Sequence, residues 1–400
     1  MKYVVFLCDG MADYDVLELG NKTPLEVAYK PNISSLSKDS YVGLIKSVAD
    51  GMKPGSDVAN LAILGYDPNK YYTGRSPLEA GSIGIDMKST DVSLRCNLVT
   101  VSEEPNYEDK TLIDYCAGDI STADAKILVD YLKENLDTPE FKLYSGVSYR
   151  HCLIWDNGTL EIGRITPPHD ITGKKVKEYT PENEKLFNYM KKSYELLNNH
   201  PLNVERAKKG LNKANSCWLW GEGKKAMLDS FYSKYHLHAT MISAVDLLKG
   251  IGKFSNMNVV NVEGATGYID TNFKGKADAA IEAFKNGSDF VYIHVEAPDE
   301  CGHRGEMDNK VKSIELIDRL IIGPVLSYLR TQGDFKVLVT PDHATPLAVR
   351  THTNDPIPFM VYDSRKKFDG VENLCEKTAK TTGVYIEPGY TLMNKFIKEL

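Results

Sequence analysis

Six residues carry the side chains of a metal centre: Asp9, Asp299, His303, Asp342, His343 and His352. Asp9 ends the apolar run "YVVFLC". Asp299 follows "DFVYIHVEAP", and His303 comes four residues later in "DECGH". Asp342 and His343 close "FKVLVTPDH", and His352 stands just beyond in "VRTHTNDP". Three carboxylates brought together repel unless a cation neutralises them. Imidazoles suit Mn, Zn, Co or Fe class ions, and carboxylates also accept Mg or Mn. Six ligands and one hydroxyl suffice for two ions. Two ions suit phosphoryl transfer, one activating the attacking oxygen and the other stabilising the leaving oxygen. The D-x-x-x-H spacing can put both side chains on one face of a helical turn. Singly, each residue has a plainer reading: an Asp before Gly is a turn residue, and a lone His is a loop or core residue. It is the joint pattern that points to a metal. His294 lies mid-strand and reads as core. His200, His236 and His238 read as structural or exposed, and Cys301 is not taken as a ligand.

A hydroxyl stands in "KPGSDVANLAIL", Lys53 to Leu64. Pro-Gly stops the preceding segment, and an apolar run with helical spacing follows. Read alone, Ser56 is a helix N-cap.

The elements that must position these residues alternate. Short apolar segments, at Tyr3–Cys8, Val42–Val48, Asn258–Val262, Asp289–Asp299 and Phe335–His343, are interleaved with helical patterns such as "KADAAIEAF" and Lys310–Leu329. That grammar predicts βαβ units, an α/β fold with a mostly parallel sheet and helices on both faces. Loops beyond the carboxyl ends of such strands form the ligand crevice, where all six residues would converge. The middle of the chain reads differently. "DVSLRCNLVTV", "FKLYSGV", "YRHCLIW" and "TLEIGRI" look like strands, with a hairpin signal in "DNGT". "ISTADAKILVDYLKENL" is a helix capped at Ser121 or Thr122, and "PENEKLFNYMKKSYELL" is a second helix. This predicts an inserted α+β domain at 86–213, interrupting a discontinuous domain of 1–85 and 214–400.

The net charge of −7 and pI near 5.8 argue against a nucleic-acid surface, while leaving room for a local basic pocket that takes a small anion. The seven cysteines are odd in number and form no C-x-x-C pair, which suits reduced thiols in the cytoplasm. No apolar run approaches the length of a membrane span.

The order Asp9, Ser56, Asp299/His303, Asp342/His343, His352 resembles the alkaline phosphatase superfamily. More closely, the chain resembles the archaeal-type cofactor-independent (2,3-bisphosphoglycerate-independent) phosphoglycerate mutases. The matching segments are "LCDGMAD", "TPLEVAYKPNISSL", "PGSDVANLAILGYDP", "EGATGYIDTN", "HVEAPDECGH", "TPDHATP" and "THTNDPIPF". The resemblance implies an alkaline phosphatase-like metal domain with an inserted cap. It implies that Asp9, Ser56, Asp342 and His343 form one metal site and Asp299, His303 and His352 the other, holding two divalent ions, Mn2+ or else Mg2+, Co2+ or Zn2+. Ser56 becomes the phosphorylated nucleophile, and Lys249 a lysine near the transferred phosphoryl group. Arg150, Arg164, His169 and Lys224 are further candidates for an anionic substrate. The implied activity interconverts 3-phosphoglycerate and 2-phosphoglycerate in the cytoplasm, without nucleic acid or membrane. The cap would exclude water, with hinges near Gly84 and at 212–215.

One departure stands out. Where archaeal mutases carry a stretch resembling "DRRAGRIST", this chain reads "DYCAGDIST", Asp114 to Thr122. Tyr115, Cys116 and Asp119 replace three arginines, and a bidentate carboxylate or phosphate clamp needs arginine. The alternative this raises is a phosphotransferase acting on another small alcohol, notably a homoserine kinase-like enzyme, or a metal-dependent phosphatase. A non-catalytic metal-binding protein is the third reading.

Overall fold

A computed structural model describes residues 1–400. The chain forms two compact units, one of Met1–Tyr72 with Met227–Leu400, the other of Thr73–Ala226. In chain order the strands are β1 (Lys2–Cys8), β2 (Tyr41–Ile45), β3 (Val92–Val101), β4 (Leu112–Asp114), β5 (Phe141–Val147), β6 (Arg150–Trp155), β7 (Ser216–Lys224), β8 (Ala239–Ile242), β9 (Asn258–Val260), β10 (Phe290–Val295), β11 (Phe335–Thr340), β12 (Ile357–Asp363) and β13 (Tyr385–Ile386).

The first unit is built on an eight-stranded sheet of order β13-β2-β12-β11-β1-β10-β8-β9. All neighbours are parallel except where β12 runs against β11 and β2. The central strands read as continuous apolar runs because both of their faces are covered. Val4, Phe6, Val291, Ile293, Val337 and Val339 enter a core shared with helices Phe273–Lys285, Met307–Ile317 and Gly323–Leu329. Val5, Leu7, Tyr292 and Leu338 alternate to the other face and are equally buried. The parallel pairing of β1 with β10 and β11 places Cys8 beside Val295 and Leu7 beside Thr340. The segments that follow these three strands therefore leave the same edge of the sheet side by side.

The second unit is an antiparallel sheet of order β4-β3-β6-β5, with β7 on β3, packed against helices Thr122–Leu136 and Glu184–Leu197. Ser121 caps the first helix by accepting from the Asp124 N–H at 3.1 Å, and Asn183 caps the second. The unit is longer than the expected 86–213, starting at Thr73 and ending at Ala226. The reason is β7, which pairs with β3 from Val92↔Lys224 to Val99↔Ser216. Gly84 and residues 212–215, expected to be hinges, thus lie inside this unit. Asn215 is locked to Val101 by bonds in both directions, at 2.8 and 2.9 Å. "TLEIGRI" forms no strand: 159–165 is irregular, and the Asn157–Gly158 turn ends β6 without returning a partner. The hairpin is instead β5–β6, turning at Ser148, which has a φ of 54°.

Candidate active site

Ser56 is not the N-cap of its helix. The helix runs Ser56–Ile63, Gly55 occupies the cap position, and no side chain caps it. The freed Ser56 hydroxyl lies 3.1 Å from His343 Nε2 and 3.5 Å from Asp9 Oδ2. Four residues on, one helical turn later, Asn60 Nδ2 donates to the Ser56 carbonyl and to Asp342 Oδ2, both at 2.8 Å. Asp342 Oδ1 accepts from the Gly10 and His343 N–H groups at 3.2 and 2.9 Å. Gly10 has a φ of 60°, and a Cβ there would stand 2.5 Å from Asp299 Oδ1. Glycine is what lets the β1 loop approach this closely.

The ligand atoms of Asp9, Asp342 and His343 lie within 4.8 Å of one another, as do those of Asp299, His343 and His352. His303 joins the second group, its Nε2 being 3.2 Å from Asp299 Oδ2 and 2.9 Å from His352 Nε2. All seven residues from four strand-end segments and the Ser56 turn thus meet at one place. His343 sits between the two groups rather than belonging to one.

The hydrogen bonds define how these rings present themselves. His303 Nδ1 faces the Arg350 carbonyl at 3.0 Å, and His352 Nδ1 faces the Pro54 carbonyl at 3.4 Å. His343 Nδ1 faces Thr345 Oγ1 at 3.3 Å, and the Thr345 proton is committed to Asp299 Oδ1. Each Nδ1 thus meets an acceptor. In the neutral rings Nε2 is therefore the lone-pair atom, and all three Nε2 atoms turn toward the carboxylates.

The charges call for a cation. Burial, and then the charges of Asp342 and Asp299, push the Asp9 carboxyl well above the usual carboxylate range. Burial pushes Asp342 the same way, but His343 and a hydrogen bond with Asp9 outweigh it and hold Asp342 low. Asp299 is also opposed by burial, yet His303 and His352 hold it well below its ordinary value, while Asp299 raises His303 to about 9. Asp9 Oδ1 is buried without a hydrogen-bond partner and lies 3.6 Å from His343 Nε2. An orphaned carboxylate oxygen facing the His343 Nε2, beside imidazoles that become lone-pair donors once deprotonated, is a donor set for a divalent ion.

Several members of this network escape sequence reasoning. His294, expected as core, is indeed fully buried, but its Nε2 lies 2.8 Å from Asp9 Oδ2. Burial drives it down to about 3, so the ring is neutral. Tyr292, on the same face of β10, donates to Asn60 Oδ1 at 2.6 Å. The i, i+4 spacing of Ser56 and Asn60 could have revealed Asn60. Nothing in "TPDHATP" marks Thr345. Cys301 is buried and stands outside both ligand groups.

The substrate candidates are scattered. Lys249 Nζ is 3.5 Å from Asp246 Oδ1, on a helix (Asp246–Phe254) packed against the Ser56 helix. In the second unit, Arg150 is exposed over the Tyr149 ring, and His169 meets the edges of Tyr115 and Trp220. Arg164 is exposed, and Lys224 ends β7. Near these, Arg95 stacks on Trp220 at 4.1 Å and pairs with Glu79 at 2.9 Å. Ala117, Gly118 and Asp119 all have positive φ, and this turn is pinned by Asp114 and by the buried Arg206, which donates to the Ala117 carbonyl at 3.0 Å.

Fold and site together define an α/β protein with a buried carboxylate–imidazole centre at the carboxyl edge of its sheet. The family model for 2,3-bisphosphoglycerate-independent phosphoglycerate mutase matches residues 37–203. A protein of Methanosarcina barkeri bearing that name is 45% identical over 403 residues, covering all of both chains. One of Geobacter sulfurreducens, named as a probable such mutase, is 44% identical over 401 residues, 99% of this chain and 100% of its own. Among solved structures, a Pyrococcus horikoshii protein superposes with a TM-score of 0.83 at 28% identity, covering 100% and 98% of the two chains. The cofactor-independent phosphoglycerate mutase of Thermoplasma acidophilum gives 0.72 at 25% identity, covering 100% and 99%. The chain belongs to the 2,3-bisphosphoglycerate-independent phosphoglycerate mutase family. No helix is long and apolar enough to cross a membrane.

Proposed function

We propose that this protein interconverts 3-phosphoglycerate and 2-phosphoglycerate through a phosphoserine at Ser56, without a bisphosphoglycerate cofactor. The observation that carries this reading is the uncapped Ser56 hydroxyl, held 3.1 Å from His343 Nε2 beside the Asp9 and Asp342 carboxylates. Asp9, Asp342 and His343 would hold one divalent ion and Asp299, His303 and His352 a second, Mn2+ being the best match to mixed imidazole and carboxylate donors. Such ions supply charge neutralisation and Lewis acidity for phosphoryl transfer.

The chain's own residues do the rest. Ser56 Oγ gives up its proton and takes the phosphoryl group from the 3-oxygen of the substrate, which gains a proton. The 2-hydroxyl of the glycerate then takes the group back, and Ser56 recovers its proton. No water, nucleotide or redox partner enters the balance. The backbone N–H groups at the start of the Ser56 helix favour the phosphate, as helix N-termini do. Lys249 would steady the transferred group. Arg150, Arg164, His169 and Lys224 are the proposed binding groups for the substrate anion, supported by the exposure of Arg150, Arg164 and His169 and by the aromatic surroundings of Arg150 and His169.

The test is enolase-coupled turnover of 3-phosphoglycerate by Mn2+-loaded protein, run beside homoserine with ATP. Enolase signal without added bisphosphoglycerate is expected. Homoserine phosphate formed in its place would transfer the same phosphoserine chemistry to another alcohol, with Tyr115, Cys116 and Asp119 as the residues to revert.

A further inference from the structure

The buried imidazole that touches the proposed centre without belonging to either ligand group is His294. Its Nε2 lies 2.8 Å from Asp9 Oδ2, and its Nδ1 lies 3.1 Å from Ser243 Oγ. With Asp9 ionised, as a metal ligand must be, its oxygens only accept, so the proton between His294 and Asp9 sits on Nε2. Nδ1 is then an acceptor, and the Ser243 hydroxyl must donate to it. Ser243 Oγ in turn accepts from the Val245 N–H at 3.0 Å, which leaves its own proton free for that role. Lys276 Nζ donates to the His294 carbonyl at 2.8 Å and ties down the backbone. Asp9, Ser243, Lys276 and His294 are buried, and β8 running parallel to β10 brings Ser243 beside His294.

The consequence falls on Asp9. Its Oδ2 is taken by His294, while Oδ1 is left buried with no hydrogen-bond partner. We propose that His294, held in one tautomer by Ser243, is a positioning residue that makes Asp9 a one-oxygen ligand, turning Oδ1 toward His343. This rests on the metal-binding reading of the Asp9 group. A carboxylate with both oxygens free could rotate or chelate through both; one oxygen anchored by an N–H donor cannot. The same face of β10 treats the second carboxylate in parallel, because Tyr292 orients Asn60, which holds Asp342 Oδ2. Partners of this kind typically tune metal affinity by about 10–100-fold.

The experiment is a Mn2+ titration of metal-free protein by calorimetry, with melting of the metal-free form measured alongside. His294→Leu is expected to weaken one of two Mn2+ sites by about 10–100-fold and to leave the other unchanged. Asp9→Asn identifies which site that is. His294→Gln, whose amide N–H can reach the Asp9 oxygen, is expected to restore most of the affinity. If His294→Leu fails to fold, the milder pair serves: Ser243→Ala should weaken the same site and Ser243→Thr should restore it. Two unaffected sites in folded His294→Leu, or in Ser243→Ala, would overturn the positioning role. So would equal weakening of both sites, which is what general loosening predicts. A wild-type protein that takes up no Mn2+ would instead sink the metal reading and this proposal with it.

Discussion

Thr345 Oγ1 stands between two residues of the candidate centre, giving its proton to Asp299 and facing His343 Nδ1 at 3.3 Å. One hydroxyl thereby orients Asp299 and the His343 ring that lies between the two groups. Thr345→Val keeps the shape and removes both bonds, so His343 can flip its proton to Nε2. A drop in kcat/KM of about 10–100-fold is expected, with two-site Mn2+ binding weakened. Wild-type kinetics in a folded variant would show that the hydroxyl is only packing.

Ser56→Ala separates chemistry from structure. Because Ser56 caps nothing, its hydroxyl contributes little to the helix, and stability should change by less than about 0.5 kcal/mol. Loss of a true cap would cost about 1 kcal/mol. Mn2+ binding should persist while turnover disappears. Measurable mutase rates in this variant would refute the nucleophile assignment.

Lys310 is fully buried and donates to Asp13 at 2.7 Å and to the Thr345 carbonyl at 2.8 Å. It binds together the loops that carry Asp9 and Asp342. Lys310→Met leaves the Asp13 charge buried and unpaired, an error that costs about 3–5 kcal/mol. Urea denaturation should show that loss, and a change under about 1 kcal/mol would contradict it.

His151 supplies a pH dependence in the second unit. Burial lowers it from 6.5 to about 4, and its Nδ1 accepts from the Gly146 N–H at 3.0 Å. The unfolded chain therefore takes up a proton at higher pH than the folded one. The stability due to this depressed value is complete above pH 6.5 and is lost as pH falls toward about 4, amounting to about 3 kcal/mol across that window. His151→Gln should flatten the stability profile between those pH values. An unchanged slope would mean that other groups carry it.

Much of the fold was legible because the central strands are buried on both faces and read as unbroken apolar runs. The ligand residues were legible because they follow those runs directly, so the parallel order of the strands brings them to one edge. The limits of the second unit were not legible. β7 belongs to it only through pairing with β3, more than a hundred residues earlier, and no local signal carries that. The strand expected in "TLEIGRI" failed for the same reason: alternation can suggest a strand, but only a partner makes one.

The chain by itself determined which side chains were available and where along it they stood: carboxylates and imidazoles at strand ends, and one serine after a tight turn. Tertiary structure decided what each proton and lone pair does. It took Ser56 away from capping, placed His343 between the two groups, and gave His294, Asn60 and Thr345 their bonds to Asp9, Asp342 and Asp299. The reason is physical. Burial in a periodic element leaves a trace in the local pattern, whereas a hydrogen bond between residues 285 or 282 positions apart, as for His294–Asp9 and Asn60–Asp342, leaves none.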